Sequence, residues 1–159
     1  YEDNLKRHDD YIVITDRAIA RSRDGMASGV VETRLTIDRT IKQLDTLLAV
    51  PQAESMFMKP AKNFPAEFSD ADKARLTAAY EAKTAQLYAA HTRLRDFLRD
   101  EYLPVAREQV GLSQMKGGDK LYALMIEQTT TLPLTADYLH DLGLSEVARI
   151  KGELEKVKA

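Results

Sequence analysis

The chain has 159 residues, enough for one domain whose hydrophobic core needs no disulfide or structural metal. Apolar residues make up 44% and charged residues 30%, with a formal net charge of −2, so no basic stripe indicates a nucleic-acid partner. The chain has no Cys, which excludes disulfides and Cys-ligated zinc, and no long apolar run that predicts a membrane span. Because the first residue is Tyr1 rather than Met, we expect the chain to be a fragment of a longer protein.

The first two segments have the pattern of amphipathic helices, over residues 1–27 and 32–49. Gly25 and Gly29 predict the end of the first helix, and Pro51 predicts the end of the second. Spacings of three and four place one set of residues in each segment on a single helical face. These stripes are Tyr1, Leu5, His8, Ile12, Thr15, Ile19, Ser22 and Met26 in the first helix, and Ile37, Ile41, Leu44 and Leu48 in the second.

Residues 51–68 are predicted to form an irregular connection, because three prolines forbid a long helix. Five Met and Phe side chains in this connection are too apolar for a free linker, so we expect it to lie on the core. One helical turn is expected around Met56.

The third helix has the clearest start, with Ser69 as N-cap and Asp72 three residues later. We expect it to run to about Val110 with a kink at Pro104, which lacks a backbone donor. Its predicted buried stripe is Leu76, Tyr80, Leu87, His91, Leu94 and Leu98.

Two further helices are predicted after the turn at Gly117 and Gly118, the fourth over 119–128 and the fifth starting at the N-cap Thr135. The stretch 129–132 between them is the only strand candidate. The stripe of the fifth helix is Leu139, Val147, Ile150, Leu154 and Val157. The sequence therefore predicts an all-α fold: a bundle or array of about five amphipathic helices, one of them long, in a single segment over 1–159.

The histidines His8, His91 and His140 are far apart, and no His-Glu-x-x-His pair occurs, so we predict neither a catalytic residue nor a metal ligand in this chain. His8 and His91 lie on apolar stripes, which favours hydrogen-bonded core or boundary histidines over ligands. His140 is either a partly exposed residue at a helix start or a cleft residue.

Several blocks in a fixed order resemble one bacterial family. They span residues 24–31, 94–98, 101–107, 111–113, 117–118, 129–131, 134–137 and 140–150, the last being the most specific. Together they are similar to the family catalogued as domain of unknown function 885, over essentially the whole chain. Where that family tends to have acidic residues, this chain has Pro133 and Tyr138.

The resemblance implies a role within a larger protein. Members of this family are long helical proteins, often exported or lipid-anchored, that resemble helical zinc peptidases with a His-Glu metal motif downstream. It implies that this chain is a non-catalytic internal segment of a zinc-dependent peptidase, a hydrolase of the periplasm or cell envelope. Zinc would then be bound elsewhere in the parent, and the partners would be the rest of the parent chain and a peptide substrate.

The threonine turn and the start of the fifth helix offer hydroxyls, backbone N–H groups and a positive dipole end. Tyr122, Thr130, Thr131 and His140 are therefore the substrate-side candidates. The simpler alternative is that Thr135 caps its helix while the other threonines shape the turn. The alternative function is a helical interaction or structural module without enzymatic activity, because apolar stripes reach both ends of the chain.

Overall fold

The computed structural model describes residues 1–158 and divides the chain into two compact units, Tyr1–Glu108 (unit 1) and Gln109–Ala159 (unit 2). All regular elements of residues 1–158 are helical, which confirms the predicted all-α class. Unit 1 contains α1 (Glu2–Ser28), α2 (Arg34–Leu48), the one-turn α3 (Lys59–Lys62) and α4 (Asp70–Phe97). Unit 2 contains α5 (Gly118–Thr130) and α6 (Ala136–Lys158). No helix of residues 1–158 has both the length and the apolarity to cross a bilayer.

Helix α1 ends at the glycine that the sequence predicted. Gly29 has φ 78° and follows the last helical residue. Its N–H donates to the carbonyl of Met26 (3.2 Å), and the N–H of Val30 donates to the carbonyl of Gly25 (2.9 Å). This pair of bonds closes the helix end and requires a left-handed residue, which glycine adopts without steric cost.

Helices α1 and α4 run parallel, and a ladder of exposed ion pairs fixes their register. Residues seven positions apart on α1 meet partners eight or ten positions apart on α4 and the turn that follows it, because two helical turns return a side chain to nearly the same face. The ladder residues of α1 are acidic at three positions and basic at the fourth. The pairs are Glu2–Arg75 (2.9 Å), Asp9–Lys83, Asp16–Arg93 (2.9 Å) and Arg23–Glu101 (2.6 Å).

Helix α2 runs antiparallel to α4 and closes the core of unit 1. At one end of α2 the Tyr88 hydroxyl donates to the carbonyl of Val50 (2.9 Å), and at the other the N–H of Glu32 donates to the Tyr102 hydroxyl (2.9 Å). The main buried cluster draws on α1, α2, the end of α4 and the region after it: Ile19, Ile37, Leu44, Phe97, Leu98, Tyr102 and Ala106. The stripes predicted for the first three long helices are all buried or half-buried, which confirms those faces.

The connection over residues 51–68 lies on α4, as predicted. A 3₁₀ turn at Met56–Met58 supplies the expected helical turn and buries Met58, while Met56 is 65% exposed. A second 3₁₀ turn, Gln52–Glu54, precedes it. Ser69 then caps α4 by accepting a hydrogen bond from the N–H of Asp72 (3.1 Å), as the sequence predicted.

The end of α4 corrects the prediction of a helix to Val110. The α-helix stops at Phe97 and continues as a π-turn, Leu98–Tyr102, and a 3₁₀ turn, Leu103–Val105. Pro104 cannot donate to the preceding turn, so regular geometry is lost around it. Beyond it, Arg107 exchanges backbone hydrogen bonds with Glu32 (3.1 Å) and Arg34 (2.8 Å), which draws the chain out of the helix.

Unit 2 also corrects two predictions. Residues 129 and 130 belong to α5 and residues 131 and 132 to the turn after it, so the candidate stretch 129–132 is not a strand. None of the described residues of α6 is buried, and its predicted stripe is exposed except for Leu139, which is half-buried. The sequence pattern identified an apolar face on α6 correctly, but nothing in residues 1–158 covers most of it.

Candidate functional site

The threonine turn joins α5 to α6 and is held by its own hydroxyl groups. The Thr130 hydroxyl donates to the carbonyl of Ile126 (2.8 Å), and its oxygen accepts from the N–H of Leu132 (3.2 Å). The Thr135 hydroxyl accepts from the N–H of Tyr138 (3.2 Å), which confirms it as the N-cap of α6. These hydrogen bonds are the ones expected from the simpler alternative, in which Thr135 caps α6 and the other threonines shape the turn.

Thr131 is the strained residue of this turn. Its φ of 59° is the only positive value at a non-glycine position among residues 1–158. The left-handed region is disfavoured for L-residues, most of all when they are β-branched. The conformation is held because its N–H donates to the carbonyl of Glu127 (2.7 Å) and its hydroxyl to the carbonyl of Thr130 (2.6 Å).

Tyr122 and His140 are the candidates whose side chains have no local partner. Tyr122, 42% exposed, borders a cavity of about 280 Å³ lined also by Gly111, Leu112 and Ser113. His140 is exposed near the start of α6. Among residues 1–158, no hydrogen bond, ion pair or ring contact joins either side chain to the threonines. The four candidates thus share unit 2 without forming a connected network, and their substrate role stays a prediction.

Gly118 lies close to Leu112, one of the residues that line the Tyr122 cavity. The sequence predicted a flexible turn here, but Gly118 is buried. A Cβ at this position would lie 1.8 Å from the carbonyl oxygen of Leu112, so only glycine lets α5 start against the 3₁₀ turn Leu112–Gln114. Gly111 (φ 99°) and Gly117 (φ 73°) supply the two left-handed positions that the turn needs.

His91 is the hydrogen-bonded core histidine that the sequence predicted. It is 3% exposed, and its Nδ1 lies 2.7 Å from the carbonyl of Leu87. A carbonyl accepts but cannot donate, so Nδ1 donates this hydrogen bond, and Nε2 lies 3.2 Å from the Tyr11 hydroxyl.

His8 differs from His91, because its buried Nδ1 has no hydrogen-bond partner in the structure. Its ring packs edge-on against Phe57 at 5.8 Å between centroids. Burial lowers the pKa of His8 below its usual range, and nearby Lys83 lowers it further, while Asp9 acts in the opposite direction. The prediction of a boundary position is confirmed, but the expected hydrogen bond is not present.

No pattern in the sequence indicates that His8 and His91 border the same cavity. Both histidines border a cavity between α1, α4 and the 3₁₀ turn Met56–Met58. Tyr11, which lies off the predicted stripe of α1, joins them there. Three sequence-distant segments meet at this cavity, so no local spacing could have revealed it.

No group of three or more His, Asp or Glu side chains within residues 1–158 is arranged to hold a metal ion. The zinc that the resemblance implies for the parent thus has no candidate set of ligands among the described residues.

The comparisons with known proteins agree with the resemblance at the level of the family. The family described as "Bacterial protein of unknown function (DUF885)" matches residues 1–159. The chain belongs to this family. Searches of curated proteins and of solved structures found no match.

Proposed function

We propose that this chain is a non-catalytic helical segment of a bacterial zinc-dependent peptidase whose metal-binding and catalytic residues lie in another part of the parent protein. Family membership supports a shared architecture, and the peptidase class rests on the resemblance of that family to helical zinc peptidases. The observation that carries the proposal is the exposed apolar face of α6, including Val147 (51%), Ile150 (46%) and Leu154 (53%). An apolar face of this kind is expected to be covered by further protein.

The proposed substrate side is the surface formed by Tyr122, Thr130, Thr131 and His140. The Tyr122 hydroxyl and the His140 ring have no partner among the described residues, so both are available to peptide groups. The Thr130 hydroxyl is occupied by backbone, which makes it a positioning residue for the turn. Strain at Thr131 supports the same proposal, since strained backbone is concentrated at functional sites.

The peptidase proposal is tested on the parent protein with a peptide library, in zinc and after chelation. We expect hydrolysis that chelation abolishes and zinc restores. Absence of hydrolysis under both conditions would refute the proposal. The parent is also proposed to be located in the periplasm or cell envelope, and cell fractionation with detection in the soluble cytoplasm alone would contradict that location.

The substrate-side role is tested by Tyr122→Phe and His140→Ala in the same parent. We expect each to raise KM about threefold to tenfold, since a lost hydrogen bond to bound peptide is worth about 1 kcal/mol. Thr130→Ala tests the positioning of the turn, and Thr46→Ala is its matched control, because each removes a hydroxyl that donates to the carbonyl four residues earlier at 2.8 Å. Unchanged KM in Tyr122→Phe and His140→Ala would refute the substrate-side role of these two residues. It would not test the assignment of the parent to the peptidases.

The interaction-module alternative has its own observation on α6. Val147, Ile150, Leu154 and Val157 alternate by three and four, the spacing of a coiled-coil seam. The flanking residues are Glu146 and Glu153 on one side and Lys151 and Lys158 on the other. In a parallel pair of identical helices each Glu meets a Lys of the second copy, whereas an antiparallel pair brings like charges together.

This alternative predicts a concentration-dependent dimer, measured by light scattering on the purified chain. Reversing both lysines with Lys151→Glu and Lys158→Glu is expected to abolish the dimer. Reversing the solvent-facing Lys156 and Lys120 to Glu instead is the control with the same charge change. A monomer at every concentration would refute the alternative.

A further inference from the structure

We propose that the cavity between α1, α4 and the 3₁₀ turn Met56–Met58 is a binding site for a small planar aromatic carboxylate. The cavity has a volume of about 430 Å³, which is within the range of small-molecule sites. Its lining residues belong to unit 1, whereas the residues proposed to face a peptide belong to unit 2, and the inference is independent of that proposal.

Aromatic rings define the chemistry of the cavity wall. Phe57 stacks on His91 with 5.9 Å between ring centroids and 30° between planes. Tyr11 packs on the same histidine at 5.5 Å, and the His8 ring stands edge-on to Phe57 at 80°. Flat rings at right angles to one another offer both face and edge contacts, which is how proteins bind a further planar ring.

Aliphatic groups close the rest of the wall. Leu87 is fully buried and Leu47 is half-buried at this cavity. Met56 borders the cavity with 65% of its surface exposed, and its flexible thioether can lie over a bound ring with favourable sulfur–aromatic contact. The apolar wall therefore favours an aromatic body over a sugar or another polar ligand.

The charge of the lining selects an anion. The only charged side chain of the cavity is Arg7, and no carboxylate lines it. Arg7 makes no ion pair among the described residues, whereas nearby Asp9 is paired with Lys83. A guanidinium at the rim of an apolar cavity can take a carboxylate in a two-bond geometry.

The buried Nδ1 of His8 is the second, independent observation. A buried polar atom without a partner costs free energy that a ligand or water recovers. Because His8 and Arg7 are neighbours in the chain and both border the cavity, one carboxylate can accept from the guanidinium and, once a rotation of the His8 ring exposes the enclosed Nδ1, from an N–H at that atom. The ring of the ligand then extends toward Phe57 and Leu87.

The binding test uses 2-naphthoate with the purified chain and nitrogen NMR of the imidazole rings. The chain has only three histidines, so each ring is a separate reporter. We expect saturable shifts at His8 and His91 and none at His140, which lies in unit 2. No shift at millimolar 2-naphthoate, or equal shifts at all three rings, would overturn the proposal.

The charge requirement is tested with matched variants and a matched ligand. Arg7→Gln is expected to raise the Kd for 2-naphthoate about tenfold, the effect of one lost charge-assisted contact. Arg17→Gln removes another exposed, unpaired arginine of α1 outside the cavity and is expected to leave the Kd unchanged. The neutral 2-naphthylmethanol is expected to bind the Arg7→Gln and Arg17→Gln proteins equally and weakly.

A steric variant distinguishes this cavity from a surface patch. Leu47→Phe places a larger side chain at the cavity wall and is expected to weaken 2-naphthoate binding while leaving helical circular dichroism intact. Equal Kd values for the wild type, Arg7→Gln and Leu47→Phe would show that 2-naphthoate binds elsewhere, and the site would be rejected.

Discussion

The two units of this chain differ in how much of their apolar surface is buried. Unit 1 buries the faces of three long helices against one another, and almost all buried apolar side chains of residues 1–158 belong to it. Unit 2 contributes only Ile126 to that set, although α6 has an equally regular apolar stripe. An amphipathic pattern thus predicts that one face of a helix is buried, but it does not identify the residues that bury this face.

The difference also separates structure from proposed function. Unit 1 supplies its own stability through its core, and hydrophobic burial is the main favourable term in folding. Unit 2 contains the strained threonine turn and the exposed substrate-side candidates, and its α6 lacks a cover within the described residues. The following substitutions compare the two units, beginning with the largest expected effect.

Leu87→Ala in unit 1 is expected to cost about 3 kcal/mol of unfolding free energy, because a fully buried leucine loses its contacts and leaves a cavity. Leu154→Ala on α6 removes the same atoms from a side chain that is 53% exposed, and is expected to cost under about 0.5 kcal/mol. Urea unfolding of both variants measures the contrast. Equal losses would show that α6 is covered as well as α4.

Gly118→Ala is expected to destabilise unit 2 by about 1–3 kcal/mol, since the new Cβ overlaps the backbone carbonyl of Leu112 and forces α5 away from its turn. The gain in helix propensity, about 1 kcal/mol, is too small to offset this overlap. Gly152→Ala is the control, because its Cβ meets nothing within 4 Å. That control is expected to stabilise α6 by about 0.5–1 kcal/mol in thermal unfolding. Stabilisation by both variants would contradict the close approach at Gly118.

Thr131→Gly is expected to stabilise unit 2 by up to about 1 kcal/mol by relieving its left-handed strain, measured by thermal unfolding. In the proposed parent peptidase the same substitution is expected to raise KM, because the turn that carries the proposed substrate-side residues becomes looser. Thr129→Gly, two residues earlier and within α5, is the control and is expected to destabilise. A loss of stability in Thr131→Gly would remove the argument from strain.

The pKa of His8 links the cavity to the stability of unit 1. Because this pKa lies below the usual value of about 6.5, the unfolded chain binds more protons than the folded chain between the two pKa values. The free energy of unfolding therefore rises with pH through that interval. The part that depends on His8 reaches its full value above about pH 6.5. Lys83→Met is expected to raise the pKa of His8, because it removes a nearby cation. It also removes the ion-pair partner of Asp9, whose carboxylate raises the pKa of His8. A ring titration by NMR that shows no upward change would contradict this account.

The ion-pair ladder is expected to contribute least. A double-mutant cycle on Asp16 and Arg93 is expected to give about 0.2–1 kcal/mol, because both side chains are 49% exposed and screened by solvent. The coupling should fall at high salt. Coupling that is unchanged in high salt would place the pair in a drier environment than the structure shows.

Local sequence signals predicted the long helices of unit 1 well. The caps at Gly29 and Ser69, and the stripes of α1, α2 and α4, depend on neighbouring residues only, and each is present in the structure. The predicted end of the third helix was wrong because Arg107 forms backbone hydrogen bonds with a segment more than 70 residues earlier. Such a pairing leaves no trace in local periodicity.

The candidate site was less accessible to sequence reasoning. The pattern identified the cap at Thr135, and the structure places its hydroxyl as expected. Neither the left-handed Thr131 nor the contact of Gly118 with Leu112 follows from propensity, since both depend on how a turn packs. The cavity at His8 was missed because its walls come from three distant segments.

Amide hydrogen exchange in the monomeric chain tests the central contrast most directly. Amides in the middle of α4 are expected to exchange only through global unfolding, whereas those of α6 are expected to exchange at least about 100-fold faster through local opening. Equal protection of α4 and α6 would contradict the conclusion that α6 needs a cover from outside the described chain.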